Sequence, residues 1–345
     1  MLTRRRLEMA LGALWLLDGA LQLQPGMFTS AFFSNVLGMA NMGLPGPVSR
    51  LDFGIADLVL WHPVVWNALF AGLQVALGLG LLRGGRAARW ARPASVAWAV
   101  SVWVVGEGFG GMFMGGSSVL NGAPGAALLY ALATLLLWPR PDTGLRAPAG
   151  GVLGRWAIGT WTAVWMAVAL LEAAGPNHLP FVPGAEIRNG ANGEPAPLAA
   201  LNHAVGRMVG FHGAEFAVGL GLAATAVALL PLWRPARRGA LVAGMVLISF
   251  LGVVGGDLGG VFSGSGTDPG LAPLGVLLGL ALWPARAPVG GEVGGELADA
   301  TAADDRALGA GDVGQPDVGP GGDGRPAAPE RAHRRAGHPV PVPAR

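Results

Sequence analysis

The stretch that decides the fold is WHPVVWNALFAGLQVALGLGL, residues 61–81, which returns in similar form as NHAVGRMVGFHGAEFAVGLGL at residues 202–222. Both stretches carry histidine at the second position and end in Gly-Leu-Gly-Leu, at an offset of about 141 residues. Further on, residues 106–113 resemble residues 255–262, and a Leu-Trp-Pro triplet closes each copy. A period this long, with its matches in the same order, indicates that a whole multi-helix unit is duplicated.

The composition is that of a membrane protein. Of the 345 residues, 52% are hydrophobic and only 13% are charged, and the apolar residues gather into long runs. Such runs are typical of transmembrane helices. The net charge of +2 indicates no nucleic-acid partner. Because cysteine is absent, disulfides, thiolate metal sites and cysteine nucleophiles are excluded.

Eight apolar segments can be drawn along the chain. They cover about residues 7–23, 58–82, 94–113, 125–138, 153–174, 205–232, 241–258 and 271–283. The predicted fold is all-α: a polytopic membrane protein of two tandem four-helix transmembrane bundles, residues 1–148 and 149–286. Since each copy has an even number of spans, the two copies run in parallel orientation. Residues 287–345 lack apolar periodicity and are predicted to form a disordered cytoplasmic tail.

Arginine sets the predicted orientation. If eight helices are threaded, most arginines of the short loops fall on one side, which the positive-inside rule makes cytoplasmic. The prediction is a multi-pass protein of the cell membrane, in contact with the lipid bilayer and with both termini in the cytoplasm. Residues 25–57 and 175–201 then form outer loops that cover whatever site lies beneath them.

Polar residues recur inside the apolar segments. The pairs that local alignment of the copies gives are Gln22 with Glu172, His62 with His203, Gln74 with Glu215, and Glu107 with Asp257. An ionisable residue inside a membrane costs a few kcal/mol, so such residues are candidates for function. The depth of most of them, in the outer third of their helices, predicts an outward-facing polar pocket. The alternative is that each side chain sits at the interface and reaches water.

The second copy carries more charge. His212 and Glu215 are three residues apart on one helix face, a spacing that helical bundles use for metal ligands. A buried hydrogen-bonded pair is the simpler interpretation. Arg207 lies one turn after His203 and is a candidate to neutralise Glu172 or Asp257. The glycine pairs are best explained by close helix packing.

The layout resembles the DoxX/DoxD-like family of four-helix integral membrane proteins, here duplicated in tandem. The resemblance is carried by Trp15-Leu16-Leu17-Asp18-Gly19, by the Leu-Gly-Leu-Gly-Leu-Leu of residues 77–82, and by the glycine-rich end of the third segment. It implies a four-helix bundle for each copy and, as in some members, a membrane subunit of a quinone-linked oxidoreductase. It supplies no catalytic residue.

The functional hypothesis that follows is a redox-associated membrane subunit whose pocket holds a quinone or a metal ion. A redox partner in the membrane or outside it is then expected. A permease or channel for a small solute or metal ion is the second hypothesis, and a non-catalytic membrane scaffold is the third. The sequence names no reaction.

Overall fold

The computed structural model of the chain describes residues 3–139 and 151–284. These residues form twelve α-helices and no strand, which confirms the all-α prediction. The helices are α1 (Arg4–Leu21), α2 (Ser30–Asn41), α3 (Gly46–Trp61), α4 (Pro63–Arg83), α5 (Gly85–Ser101), α6 (Ala126–Leu137), α7 (Ala157–Glu172), α8 (Val182–Asn189), α9 (Ala196–Val209), α10 (Gly213–Leu229), α11 (Arg237–Val253) and α12 (Leu271–Ala281). The predicted boundary at residues 148 and 149 and the predicted tail, residues 287–345, lie outside the described residues.

Two helical stretches are long and apolar enough to cross a membrane. They are Pro63–Arg83, with 21 residues, and Gly213–Leu232, with 20 residues, which extends α10 through a short 3-10 turn. Proline at the start of α4 suits a first helical turn, where its missing N–H is not needed. The helix ends before Gly84, which has a φ of +75°. The apolar helices α6 and α12 are shorter.

The two copies repeat one packing scheme. In the first copy α1 packs on α4, α4 on α5, and α5 on α6; in the second copy α7, α10, α11 and α12 make the same contacts. The predicted outer loops are largely helical, since α2 packs on α3 and α8 packs on α9 as two helical hairpins. The eight apolar segments correspond to the remaining eight helices.

Helix boundaries correct the register of the repeat. The helices α1, α3 and α4 correspond to α7, α9 and α10 at an offset of 150, since Pro45 and Pro195 precede α3 and α9. Helix packing supports the same offset. Gly12 of α1 packs against the carbonyl oxygen of Gly78. At the positions 150 residues later, the Thr162 hydroxyl donates a hydrogen bond to the carbonyl oxygen of Ala228 at 2.9 Å. The offset of 141 is therefore wrong for this part of the chain. Helices rich in glycine, alanine and leucine resemble one another in several registers.

The corrected register changes two predicted pairs. His62 corresponds to His212, because these residues directly precede α4 and α10. Gln74 corresponds to Ala224, not to Glu215. The pairs of Gln22 with Glu172 and of Glu107 with Asp257 agree with the offset of 150.

The short helices α6 and α12 form the centre of the core and pack against each other. Most of their residues are buried, including Leu129, Leu136, Leu274 and Leu277. This explains their sequences, which are apolar on every side instead of on one face. The copies therefore meet through α6 and α12.

Candidate functional site

Each copy has a glycine turn of left-handed backbone after its third long helix. In the first copy residues 108–111 have φ angles between +53° and +69°, and in the second residues 258–260 have φ angles between +45° and +74°. This conformation costs a residue with a Cβ about 1–2 kcal/mol, and only Phe109 and Leu258 are not glycine. The Phe109 ring packs edge-on against Trp103 and Phe113, at centroid distances of 5.0 and 5.5 Å.

Glycine is required where these turns touch the next helix. A Cβ on Gly110 would lie 2.1 Å from the carbonyl oxygen of Pro124, and a Cβ on Gly259 would lie 2.1 Å from that of Asp268. Both contacted segments immediately precede a central helix. The missing side chains thus allow each turn to lie against the N-terminal end of α6 or α12.

A carboxylate lies at each of these two helix ends: Glu107 caps α6, and Asp268 binds the residue that precedes α12. Glu107 Oε1 accepts a hydrogen bond from the backbone N–H of Ala127 at 3.0 Å. Asp268 Oδ1 accepts one from the backbone N–H of Gly270 at 2.8 Å, and its Oδ2 accepts one from the Thr267 hydroxyl at 3.0 Å. The positive end of the helix dipole stabilises a carboxylate at this position. Glu107 Oε2 is buried and has no hydrogen-bond partner among the described residues.

A cavity of about 640 Å³ lies between the copies at these helix ends. Its wall is formed by both glycine turns, the N-terminal residues of α6 and α12, and parts of α2 and α11. Glu107 and Asp268 are its charged side chains, and within the described part of the chain no histidine, arginine or aromatic ring lines it. Both carboxylates are half-buried because they border this space deep inside the protein. The cavity is a candidate binding site for a small solute.

A third carboxylate, that of Asp18, interacts electrostatically with both carboxylates of the cavity. Asp18 on α1 is 2% exposed, and its charge interacts with those of Asp268 and Glu107 and with the Tyr130 hydroxyl. Trp15, one turn before Asp18, stacks on the Tyr130 ring at a centroid distance of 4.2 Å. The Asp18 Oδ1 atom and the Tyr130 hydroxyl have no hydrogen bond of normal geometry in the described structure.

Glu172 joins the two copies. Its carboxylate is 1% exposed and accepts hydrogen bonds from the Ser118 hydroxyl at 2.7 Å and from the backbone N–H of Val119 at 2.9 Å. Ser118 and Val119 belong to the loop that precedes α6, so this bond crosses between copies. Asn177 holds the same loop, since its side-chain amide donates to the carbonyl oxygen of Ser117 at 2.9 Å.

The counterpart of Glu172 makes a different contact. Gln22 and Asn67 bond each other inside the first copy, where the Asn67 amide donates to the backbone oxygen of Gln22 at 2.8 Å. Both side chains are buried. Alanine replaces Asn67 at the corresponding position of the second copy, residue 217, so Glu172 has no such partner on α10.

Glu186 lies in the outer hairpin beside this junction. The side-chain amide of Asn121 donates to Glu186 Oε1 at 3.4 Å. Burial, together with the negative charge of Glu172, raises the pKa of Glu186 to about 7. The folded protein therefore binds more protons here than the unfolded chain, and the contribution of Glu186 to stability falls as the pH rises through this value.

The predicted histidine sites lie at the surface. His62, His203 and His212 are all exposed, and so is Arg207. The Nδ1 atom of His212 lies 3.9 Å from Glu215 Oε1, with both side chains about three-quarters exposed. The structure thus brings Glu107 to the cavity and Glu172 to the junction, but places the histidines apart from both.

Gln74 and Asp257 are the two further residues that the sequence predicted for the site. Gln74 is buried on α4, and its Oε1 atom has no hydrogen-bond partner in the described structure. Asp257 begins the short turn Asp257–Gly260, which belongs to the second glycine turn. Within residues 3–139 and 151–284, no group of three or more histidine, aspartate and glutamate side chains is placed to hold a metal ion.

Asp268 and Tyr130 were not predicted from the sequence. One signal for Asp268 was present: Asp268-Pro269-Gly270 precedes α12 as Ala123-Pro124-Gly125 precedes α6. Tyr130 is the only tyrosine of the chain, but it lies in a continuous apolar run that gives no sign of a polar site. Its neighbour Asp18 comes from a helix more than 100 residues earlier in the sequence.

Comparison with protein-family models, curated proteins and solved structures finds no match. The resemblance to the DoxX/DoxD-like layout therefore stays a prediction. The candidate site is a cavity at the meeting point of the two copies, with a carboxylate at each of two helix ends and a third, buried acid that interacts electrostatically with both. Such a site suits the binding of a positively charged group.

Proposed function

We propose that the chain is a multi-pass membrane protein that binds a small organic cation in the cavity between its copies and passes it across the membrane as a permease. The observation that carries the proposal is the cavity of about 640 Å³ bordered by Glu107 and Asp268. In this proposal eight helices, four from each copy, span the bilayer. The two hairpins lie outside, above the cavity.

Apolar side chains on the outer surface support the membrane location. On α4, Val64, Val65 and Leu69 are each more than half exposed, and on α10 and α11 the same holds for Leu222 and Val246. A water-soluble monomer rarely exposes a contiguous apolar surface of this kind. Lipid would cover these side chains.

The basic residues support one orientation. At the N-terminal end of α1, Arg5 donates to the carbonyl oxygens of Leu81 and Leu82, which end α4. Arg92 of α5 pairs with Glu8 of α1 at 2.6 Å. These contacts place the arginine-bearing ends of α1, α4 and α5 together, at the end of the bundle opposite to the cavity. By the positive-inside rule this is the cytoplasmic end.

The short central helices fit the same proposal. A helix of 12 residues such as α6 is about 18 Å long, less than the roughly 30 Å thickness of the hydrocarbon core. Non-helical backbone at membrane depth is tolerated where it is buried in protein or lines a cavity. The glycine turns meet this condition because they line the cavity at the N-terminal ends of α6 and α12.

The charge in the cavity favours a cation. The two carboxylates face the positive ends of α6 and α12, which together offset about one elementary charge. With both carboxylates ionised, a net negative charge remains, and the unpartnered Oε2 of Glu107 can accept a hydrogen bond. The volume lies within the roughly 300–1,000 Å³ typical of small-molecule sites. An organic cation such as a quaternary or primary amine fits both the charge and the size.

The topology can be tested with reporter fusions. A reporter fused after Arg286 should be active in the cytoplasm, and one inserted near Asn192, in the outer hairpin, should be active outside. The reason is the odd number of spans on either side of the hairpin, five before it and three after it, together with the arginine asymmetry. Activity of both reporters on the same side would exclude the eight-span arrangement.

Cation binding can be tested on the purified full-length chain in detergent. Choline should raise the melting temperature in a saturable way, whereas its uncharged carbon isostere should not. Replacing Glu107→Gln or Asp268→Asn should weaken choline binding at least about tenfold, equivalent to about 1.4 kcal/mol, because each change removes one negative charge from the cavity. Equal stabilisation by the uncharged isostere would contradict the proposal.

Asp52→Asn is the matched control for these variants. Asp52 is a buried carboxylate of α3 outside the cavity wall, and it accepts a hydrogen bond from Asn41 at 2.8 Å. Its counterpart at the offset of 150 is Asn202, so asparagine fits this site. Choline binding should be unchanged in this variant. The redox-subunit prediction is tested on the same sample, because mass spectrometry of the extracted lipids would reveal a bound quinone.

A further inference from the structure

The Asp18–Tyr130 pair is a buried polar site without an obvious structural purpose. Both residues are 2% exposed, and the Asp18 Oδ1 atom and the Tyr130 hydroxyl make no hydrogen bond of normal geometry in the described structure. An unpaired buried polar group costs about 1–3 kcal/mol, and an unpaired buried charge costs more. The pair therefore destabilises the folded protein unless a ligand supplies the missing hydrogen bond.

Every charged group that faces Asp18 from the neighbouring helices is acidic. The helices α4, α6 and α12 pack around α1; Tyr130 comes from α6, Asp268 from the turn before α12, and Glu107 from the turn after α5. None of the salt bridges among the described residues involves Asp18, Glu107 or Asp268. On α1 itself, Glu8 and the arginines lie at least ten residues away, or about 15 Å along the helix. Three neighbouring carboxyl groups with no basic partner cannot all be ionised at low cost.

The second copy shows that the scaffold does not need this pair. Asp18 corresponds to Val168 at the offset of 150, and Tyr130 corresponds to Gly275 because α6 begins at Ala126 and α12 at Leu271, an offset of 145. Val168 and Gly275 border a small apolar cavity of about 20 Å³ beside Trp165. The same helix packing thus forms with no polar group there. The polar pair occurs only in the first copy, where Asp18 interacts with Asp268 and Glu107. A role related to the cavity therefore explains the pair better than helix packing does.

We propose that Asp18 is a proton-binding site, which holds a proton in the resting protein and releases it when a cation enters the adjacent cavity. The second half of this proposal rests on the proposed function. The protonated carboxyl donates its hydrogen toward Tyr130 and leaves the cluster with one charge fewer. When a monovalent cation enters beside Glu107 and Asp268, the Asp18 O–H bond breaks and the proton passes to the water of the cavity. One positive charge replaces another, so the total charge of the site is conserved.

Protonation of Asp18 in the cation-free protein can be tested by itself. Infrared spectroscopy of the full-length protein at neutral pH should show the carbonyl stretch of a protonated, buried carboxylic acid. The Asp18→Asn variant should lose this band, and because asparagine has nearly the shape of a neutral aspartic acid, the variant should fold. The Tyr130→Phe variant should keep the band at a shifted frequency. A band that persists in Asp18→Asn but disappears in Glu107→Gln would overturn the assignment.

The exchange of the Asp18 proton for a bound cation is tested by titrating choline into weakly buffered protein with a pH indicator. Wild type should release up to one proton for each choline bound, while Asp18→Asn should bind choline and release far less. Choline binding that needs sodium and releases no proton would overturn the exchange. Absence of choline binding in wild type, with the infrared band present, would refute the proposed permease and the exchange but leave the proton site standing.

Discussion

Replacing Gly110→Ala should unfold the junction between α5 and α6 and reduce stability by about 4 kcal/mol or more. The new Cβ would lie 2.1 Å from the carbonyl oxygen of Pro124, and its other close neighbours are also backbone atoms. Backbone cannot rotate aside as a flexible side chain can. The φ of +64° adds the cost of a left-handed alanine, about 1–2 kcal/mol. Thermal melting of the detergent-solubilised protein measures the loss.

The control for this prediction is Gly115→Ala. Gly115 also has positive φ, at +80°, but a Cβ there would meet nothing within 4 Å. This variant should lose only about 1–2 kcal/mol of stability, which is the cost of alanine in the left-handed conformation. If both variants melt at the same temperature, close packing of the glycine turn against α6 does not determine stability. Choline binding should fail in Gly110→Ala at temperatures where Gly115→Ala still binds.

Replacing Glu172→Ala should destabilise the protein by about 3 kcal/mol. The change removes a buried acceptor and leaves the Ser118 hydroxyl and the Val119 N–H without a partner. Because these donors belong to the other copy, the loop at residues 116–122 should also become more susceptible to proteolysis. Melting temperature and limited proteolysis measure the two effects.

Two variants separate the bond from the charge at Glu172. Glu172→Gln keeps an acceptor oxygen, and its counterpart Gln22 shows that glutamine fits this position on the paired helix. It should cost less than half as much as alanine. Glu215→Ala removes a side chain that is 73% exposed and should change stability by no more than about 0.5 kcal/mol. Equal losses in all three variants would contradict the assigned role.

The local properties of the chain were predictable because they depend on neighbouring residues. Apolar runs separated by Arg, Gly and Pro predicted eight segments, and each overlaps one of the helices α1, α4, α5, α6, α7, α10, α11 and α12, although α5 begins nine residues before its segment and ends at Ser101. The duplication was also visible, since Trp15 and Trp165 and the two Leu-Trp-Pro triplets kept their order. The hairpin helices were missed because residues 25–57 and 175–201 are rich in Gly, Pro and Asn and show little apolar periodicity.

What the sequence determined by itself is the helical class, the duplication and the arginine asymmetry, because each follows from composition and local period. Only the tertiary structure decided the register of the repeat. Helices rich in glycine and leucine can be aligned at an offset of 141 or of 150 residues, whereas the helix ends and the packing of α1, α3 and α4 permit only the offset of 150. It also decided the site. Glu172 bonds a loop 54 residues earlier, and the charge of Asp18 interacts with that of Asp268, which lies 250 residues later in the sequence. Such contacts depend on which helices pack together, and no local pattern records them.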